Sequence, residues 1–82
     1  MATLLNRLRN TSVRDIVAAL ERDGFTLRRS TQTGGRIYAH PDGRITVVHF
    51  HKGNETLPIG TLRSILQAVS WTQADAKRLG LI

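Results

Sequence analysis

The segment Pro41–Gly43 constrains the fold of this chain most, because it lies between two stretches that alternate apolar and polar residues. Proline fixes φ for the first corner of a tight turn, aspartate caps the turn locally, and glycine accepts a positive φ. Residues 36–40 and 44–51 are therefore predicted to be the two strands of an antiparallel hairpin. In the second of these strands we expect Val48 and Phe50 to face the core.

Three other segments carry helix signals. Ser12 and Asp15 have the form of a capping box, and the apolar residues after them repeat at helical spacing, which predicts a first helix over about 12–23. A second helix is predicted to begin within 57–61, where a proline is tolerated in the first turn. A third, short helix is predicted over about 72–80, beginning with another capping box.

The remaining alternating segment, residues 25–30, predicts a first strand and completes the order α-β-β-β-α-α. This order predicts an α+β fold in which helices cover one face of a three-stranded antiparallel sheet and the other face is free. With 82 residues the chain has room for one domain, 1–82. Residues 1–11 are expected to be a short helical or loosely ordered N-terminal extension.

The charge balance points to a polyanionic partner. Twelve lysines and arginines against six acidic residues give a net charge of +6, and a basic surface captures polyanions. Arginine predominates, which favours planar, bidentate contacts with phosphate. Cysteine is absent, which excludes disulfides and thiolate metal sites, and no apolar run is long enough to span a bilayer. We therefore expect a cytoplasmic protein that binds nucleic acid and no membrane.

The free face of the predicted sheet is the expected RNA surface. Arginine there would neutralise phosphate, and an exposed tyrosine could stack on a base. The alternative is an ordinary solvated sheet face with no ligand. The candidate RNA-binding residues are Arg28, Arg29, Arg36, Tyr38, His40, Arg44 and His49.

The three histidines, His40, His49 and His51, are candidates for acid–base chemistry. One imidazole could take the 2′-hydroxyl proton of RNA or protonate the leaving oxygen, since its pKa lies near neutrality. His40 could instead be a turn residue of the hairpin, and His51 could hydrogen-bond the loop after the strand; a single histidine of this kind is more often structural than catalytic. A zinc site lacks a suitable carboxylate ligand nearby, so we expect no metal and no cofactor.

Two segments together resemble the HicA toxins of bacterial type II toxin–antitoxin systems. They are residues 34–44, with the sequence GGRIYAHPDGR, and residues 50–66, from FH to GTLRSIL; Asp23-Gly24-Phe25 precedes them. The resemblance runs from about Ser12 to about Leu79. It implies a fold like that of double-stranded-RNA-binding domains, mRNA endonuclease (mRNA interferase) activity, and inhibition by a HicB antitoxin bound over the active surface. No DNA binding is expected of this chain alone.

The resemblance also implies a catalytic histidine in a Gly-Ser-His or Gly-Gly-His motif at the start of the second strand. Alignment on Tyr38, His40 and Pro41 places that histidine at Gly35, which has no group to transfer a proton. Acid–base help is worth about 10²–10⁴ in rate. The chain is therefore expected to bind RNA and to cleave it poorly, whether the glycine is natural or engineered, unless His40 or His51 compensates.

Two other functions fit the same sequence. One is a noncatalytic RNA-binding module, which would bind RNA with a steep salt dependence and gain no cleavage from a histidine at position 35. The other is an interaction protein whose basic face docks an acidic partner.

Overall fold

A computed structural model of the chain describes residues 3–49 and 55–82. Within these residues the fold is α+β, with the order α-β-β-β-α and one further short helix at each end. The elements are α1 (Leu4–Leu8), α2 (Val13–Asp23), β1 (Thr26–Ser30), β2 (Gly35–Ala39), β3 (Ile45–His49), α3 (Ile59–Val69) and α4 (Gln73–Arg78).

The strands form one antiparallel sheet in the order β1-β2-β3. The hairpin predicted around Pro41–Gly43 is confirmed. The backbone N–H of Gly43 donates to the carbonyl of His40 at 2.9 Å, and the N–H of His40 donates to the carbonyl of Arg44 at 2.9 Å. Gly43 has φ of +100°, as a three-residue hairpin loop of this kind requires.

The register between β2 and β3 decides which residues are buried. Tyr38 pairs with Thr46 and Arg36 with Val48, and directly paired residues share a sheet face. Val48 is buried as expected, and Thr46 is buried on the same face, so Tyr38 belongs to the helix-covered face and is 3% exposed. The prediction that Tyr38 lies on the free face is wrong. The alternation in β2 is ambiguous because both of its faces carry apolar residues, and Phe50 lies outside the described residues.

The first predicted helix begins and ends as its sequence indicates. The hydroxyl of Ser12 accepts a hydrogen bond from the N–H of Asp15, and the helix closes at Gly24 with φ of +106°. A Cβ atom at position 24 would also lie 2.9 Å from Nε2 of His40. Glycine is required there for its backbone angle and for the close approach of the imidazole.

The N-terminal segment, which we expected to be either a short helix or loosely ordered, contains the short helix α1. Thr3 caps α1, and α1 packs on α3. Leu8 at its end is completely buried and belongs to the hydrophobic core with Phe25 and Leu62. Residues from all four helices and from one face of the sheet therefore make up the core.

Asp23, the last residue of α2, connects parts of the chain that are distant in sequence. Its carboxylate accepts a hydrogen bond from Nε1 of Trp71 at 2.9 Å and from Nη2 of Arg78 at 2.8 Å. It also forms an ion pair with Arg44, at 3.1 Å. Because its side chain is only 8% exposed, these partners replace water around the charge.

Arg44 and His40 complete this arrangement at the β2–β3 hairpin. The guanidinium of Arg44 also bonds to Asp42 and to the carbonyl of Val69, and it lies 5.0 Å from the centre of the Phe25 ring. Nε2 of His40 lies 2.8 Å from the carbonyl oxygen of Asp23, and Nδ1 accepts from the N–H of Asp42 at 3.1 Å. These contacts connect the hairpin to Asp23 at the end of α2 and to Val69 at the end of α3.

These contacts set the pKa of Asp23. Burial raises it, but hydrogen bonds from Trp71 and Arg78 and the charges of Arg44 and Arg78 outweigh burial, so the pKa lies below its ordinary value of 3.8. A carboxyl whose pKa is lower in the folded state stabilises the fold above its unfolded-state pKa, and that stabilisation is lost as the pH falls through the folded-state value.

We predict that Asp23→Asn lowers the free energy of unfolding at neutral pH by about 2–3 kcal/mol. The substitution removes the buried negative charge that Trp71, Arg78 and Arg44 contact. The difference from the wild type should shrink as the pH falls below about 4. Urea denaturation followed by circular dichroism at several pH values measures this. Glu21→Gln, which removes the same charge from an exposed position of α2, should change stability by less than about 0.5 kcal/mol. A difference that does not vary with pH would contradict the assignment.

Candidate functional site

The sheet face away from the helices is called here the open face, and its centre is apolar. In the register of the sheet, Ile37 is paired with Val47 and Ala39 with Ile45. Ile45 is 58% and Val47 43% exposed. Large apolar side chains that are exposed side by side are typical of a surface that another molecule covers.

Two arginines border this apolar centre on β1. Arg28 lies at an irregularity in the pairing of β1 with β2, between Leu27 and Arg29, and Arg29 pairs with Ile37. Arg28 lines a shallow cavity with Thr26 and residues of the hairpin. Both arginines are exposed. An edge strand with two adjacent exposed guanidinium groups is suited to contact successive phosphates.

Polar groups surround Gly35 at the start of β2. Oγ1 of Thr31 accepts a hydrogen bond from the N–H of Gly35 at 2.9 Å, and it lies 3.2 Å from Oγ1 of Thr33. On the other side, Gly35 is paired directly with His49 of β3. We call Thr31, Thr33, Gly35 and His49 the Gly35 site.

The Gly35 site has little space for a side chain at its centre. A Cβ atom at position 35 would lie 2.9 Å from Oγ1 of Thr31, and 3.5 and 3.6 Å from Cε1 and Nδ1 of His49. The first distance requires the threonine hydroxyl to move, whereas the others are ordinary van der Waals contacts. The imidazole of His49 therefore lies where a side chain at position 35 would begin.

His49 also lines two clefts at the edge of β3. One, of about 340 Å³, is bounded by Val13, Leu57, Thr61 and the acidic residue Glu55, among others. The second, also of about 340 Å³, lies between β3 and α3. His49 is exposed, so a ligand in either cleft could reach its ring.

The other candidate residues lie elsewhere. Tyr38 is in the core, and Arg44 and His40 have structural partners at the hairpin. Arg36 pairs with Val48 on the helix-covered side, is half-buried and has an interaction partner. The structure thus brings His49 together with Gly35, and places Arg28 and Arg29 beside the open face. His51 lies outside the described residues.

Sequence reasoning did not select Thr31 and Thr33. The sequence does contain a pattern that indicates them, because a threonine close to a glycine-containing turn commonly forms a hydrogen bond with the local backbone. Here the N–H of Thr31 donates to the carbonyl of Gly35 at 2.7 Å, and Gly34 has φ of +87°. The turn therefore holds the Thr31 hydroxyl against the start of β2.

Comparison with protein families gives one match that covers most of the fold. Residues 13–74, about three quarters of the chain, match the family described as the HicA toxin of bacterial toxin–antitoxin systems. The chain belongs to the HicA toxin family. It is accordingly the toxin of a toxin–antitoxin pair, and an antitoxin is its partner. A search of curated proteins found no match. In residues 3–49 and 55–82, no helix is long and apolar enough to cross a membrane.

Proposed function

We propose that this toxin acts on messenger RNA in the cytoplasm, and that it binds RNA through β1 and the Gly35 site. The observation that carries the proposal is the adjacency of two exposed arginines, Arg28 and Arg29, to the open face of a HicA toxin. Phosphate contacts supply most of the affinity of RNA-binding proteins that do not read sequence. The net charge of +6 acts in the same direction.

The proposed reaction is endonucleolytic cleavage of the RNA backbone with a histidine as general acid or base. Family resemblance puts that histidine at position 35, where this chain has glycine. The backbone of Gly35 is held by Thr31, so the start of the strand is ordered, but glycine itself transfers no proton. Cleavage is therefore expected to be well below that of a toxin with histidine at this position, by as much as about 10²–10⁴.

The apolar centre of the open face is the proposed docking surface for a HicB-like antitoxin. Ile45 and Val47 are exposed beside Ile37, and their burial in a complex would be favourable. The same complex would cover the neighbouring arginines and the Gly35 site. Antitoxin and RNA would then compete for one surface, which explains inhibition without any change of shape in the toxin.

We predict that the double variant Arg28→Gln, Arg29→Gln weakens binding to a single-stranded RNA by about tenfold or more at moderate salt. The slope of log affinity against log salt should fall by about 0.7 for each phosphate that the variant no longer neutralises. Fluorescence anisotropy over a salt series measures both quantities. Arg14→Gln, with the same type of charge change on the exposed side of α2, is the control and should change the affinity little. The pair removes two charges and the control removes one, so a loss of binding free energy in Arg14→Gln that is half that of the pair would mean that binding depends on total charge alone.

Gly35→His is predicted to raise the rate of RNA cleavage by about 10²-fold, because it adds a side chain that can transfer a proton beside the sugar–phosphate backbone of the bound RNA. Gly35→Ala is the matched control, since it brings the same Cβ against Thr31 without an imidazole. Gel analysis of a labelled messenger RNA and growth after induction give the result. A folded Gly35→His protein that binds RNA but neither cleaves it nor arrests growth would favour a noncatalytic RNA-binding module.

Val47→Asp is predicted to weaken the complex with the antitoxin by about 1–3 kcal/mol, because it puts an unpaired charge in an apolar contact. The stability of the free toxin should change little, since Val47 is 43% exposed. Isothermal titration of the antitoxin into each toxin gives the affinity. Gln67→Asp, at an exposed position of α3, is the control, since it adds a negative charge on a helix and not on the open face. An unchanged antitoxin affinity in Val47→Asp would exclude this part of the open face from the complex.

A further inference from the structure

The position that lacks a histidine in β2 has a histidine directly opposite to it in β3. Gly35 and His49 are cross-strand partners, and such partners project from the same face of a sheet with their Cβ atoms about 5 Å apart. An imidazole on either residue can therefore reach much of the same space. His40 cannot do this, because it follows the opposite end of β2 and is five residues from Gly35, about 16 Å at strand spacing.

The geometry of His49 shows that its ring is turned toward Gly35. Cε1 and Nδ1 lie 3.5 and 3.6 Å from the place that a Cβ of residue 35 would occupy. The ring is in van der Waals contact with that place, and a larger residue at 35 would compete with it for space. Glycine at 35 and histidine at 49 are thus compatible as a pair.

His49 also has what a group acting on a ligand needs, namely exposure and an adjoining cavity. The cleft bounded by Val13, Leu57 and Thr61 is about 340 Å³ in volume, and His49 is one of its lining residues. Its walls combine apolar side chains and hydroxyl groups, which can contact the base and the sugar of a nucleotide, with the acidic residue Glu55. The hydroxyls of Thr31 and Thr33 lie on the other side of Gly35 and are hydrogen-bonded to each other, which leaves one of their two protons to donate to a phosphate.

We propose that His49 supplies from β3 the imidazole that position 35 lacks, and acts as the general base for residual RNA cleavage. This inference rests on the proposed ribonuclease function. The neutral imidazole takes the proton of a ribose 2′-hydroxyl while the 2′-oxygen forms a bond to the adjacent phosphorus. The bond from phosphorus to the 5′-oxygen breaks, and that oxygen takes a proton from water. The imidazolium then returns its proton to the hydroxide so formed, which leaves a 2′,3′-cyclic phosphate and a 5′-hydroxyl end.

The proposal separates His49 from the other two histidines. The ring nitrogens of His40 contact the carbonyl of Asp23 and the N–H of Asp42, so His40 holds the hairpin together. His51 lies outside the described residues and is tested by its own variant. A catalytic role for His49 requires that cleavage depend on its ring much more strongly than RNA affinity does, and that folding not depend on it.

The experiment compares purified wild type, His49→Gln and His51→Gln on a labelled single-stranded RNA in excess enzyme. The expected result is slow cleavage by the wild type, with cyclic phosphate ends, and a decrease of about 10²-fold in His49→Gln. Thermal stability of His49→Gln should match the wild type, and its RNA affinity should fall far less than its cleavage rate, because most of the affinity comes from the arginines of β1. If His49→Gln cleaves at the wild-type rate, or if the decrease occurs in His51→Gln instead, the proposal is overturned.

A second variant guards against a contaminating nuclease and against a merely structural role. His49→Ala should regain part of its cleavage rate when free imidazole is added, because the small base can enter the space that the ring has left. Added imidazole should not change the rate of the wild type. Absence of this rescue, together with wild-type rates for the unrescued variant, would also overturn the proposal.

The outcomes distinguish this inference from the function on which it rests. A wild-type protein that binds RNA with the predicted salt dependence but produces no cleavage overturns the role of His49 and leaves RNA binding intact. A wild-type protein that does not bind RNA overturns both. Cleavage that requires His49 supports both, and assigns the residue that transfers the proton.

Discussion

The arrangement of this small fold depends on the contacts of the Asp23 carboxylate. It lies at the end of α2 and is bonded to Trp71 and Arg78 near the C-terminus and to Arg44 in the β2–β3 hairpin. Three segments that are far apart in sequence therefore meet at one nearly buried charge. In an 82-residue chain with a limited core, such a network specifies how the hairpin sits on the helices, in addition to any stability that it contributes.

This network includes side chains that the sequence suggests as ligands for RNA. Arg44 and His40 carry the residue types of a nucleic-acid surface, yet their charged or polar atoms already have partners in the fold. Of the candidate arginines, which all lie in the described part of the chain, those left beside the open face are Arg28 and Arg29 of β1. A count of arginines thus overstates the proposed RNA-binding surface, since part of the positive charge is neutralised by carboxylates of the fold.

Much of the fold could be predicted from the sequence, because its signals are local. The capping residue Ser12, the turn at Pro41–Gly43 and the left-handed glycine at 24 each determine a boundary by short-range sterics and hydrogen bonds. The face of β2 could not be predicted in the same way. Tyr38 and Ile37 are both apolar enough to be buried, and the choice between them depends on the register with β3, which is a long-range property.

The candidate site also depends on strand pairing, which local sequence signals do not reveal. Alignment along the chain places a missing histidine at Gly35 and offers His40 or His51 as its substitute. The sheet brings a different residue to that point, because β3 runs back beside β2 and pairs His49 with Gly35. Side chains on either strand of such a pair can in this way reach much of the same space, although their Cβ atoms are about 5 Å apart. The absence of a residue from a motif therefore removes its chemistry only if the paired position across the sheet cannot supply the same group.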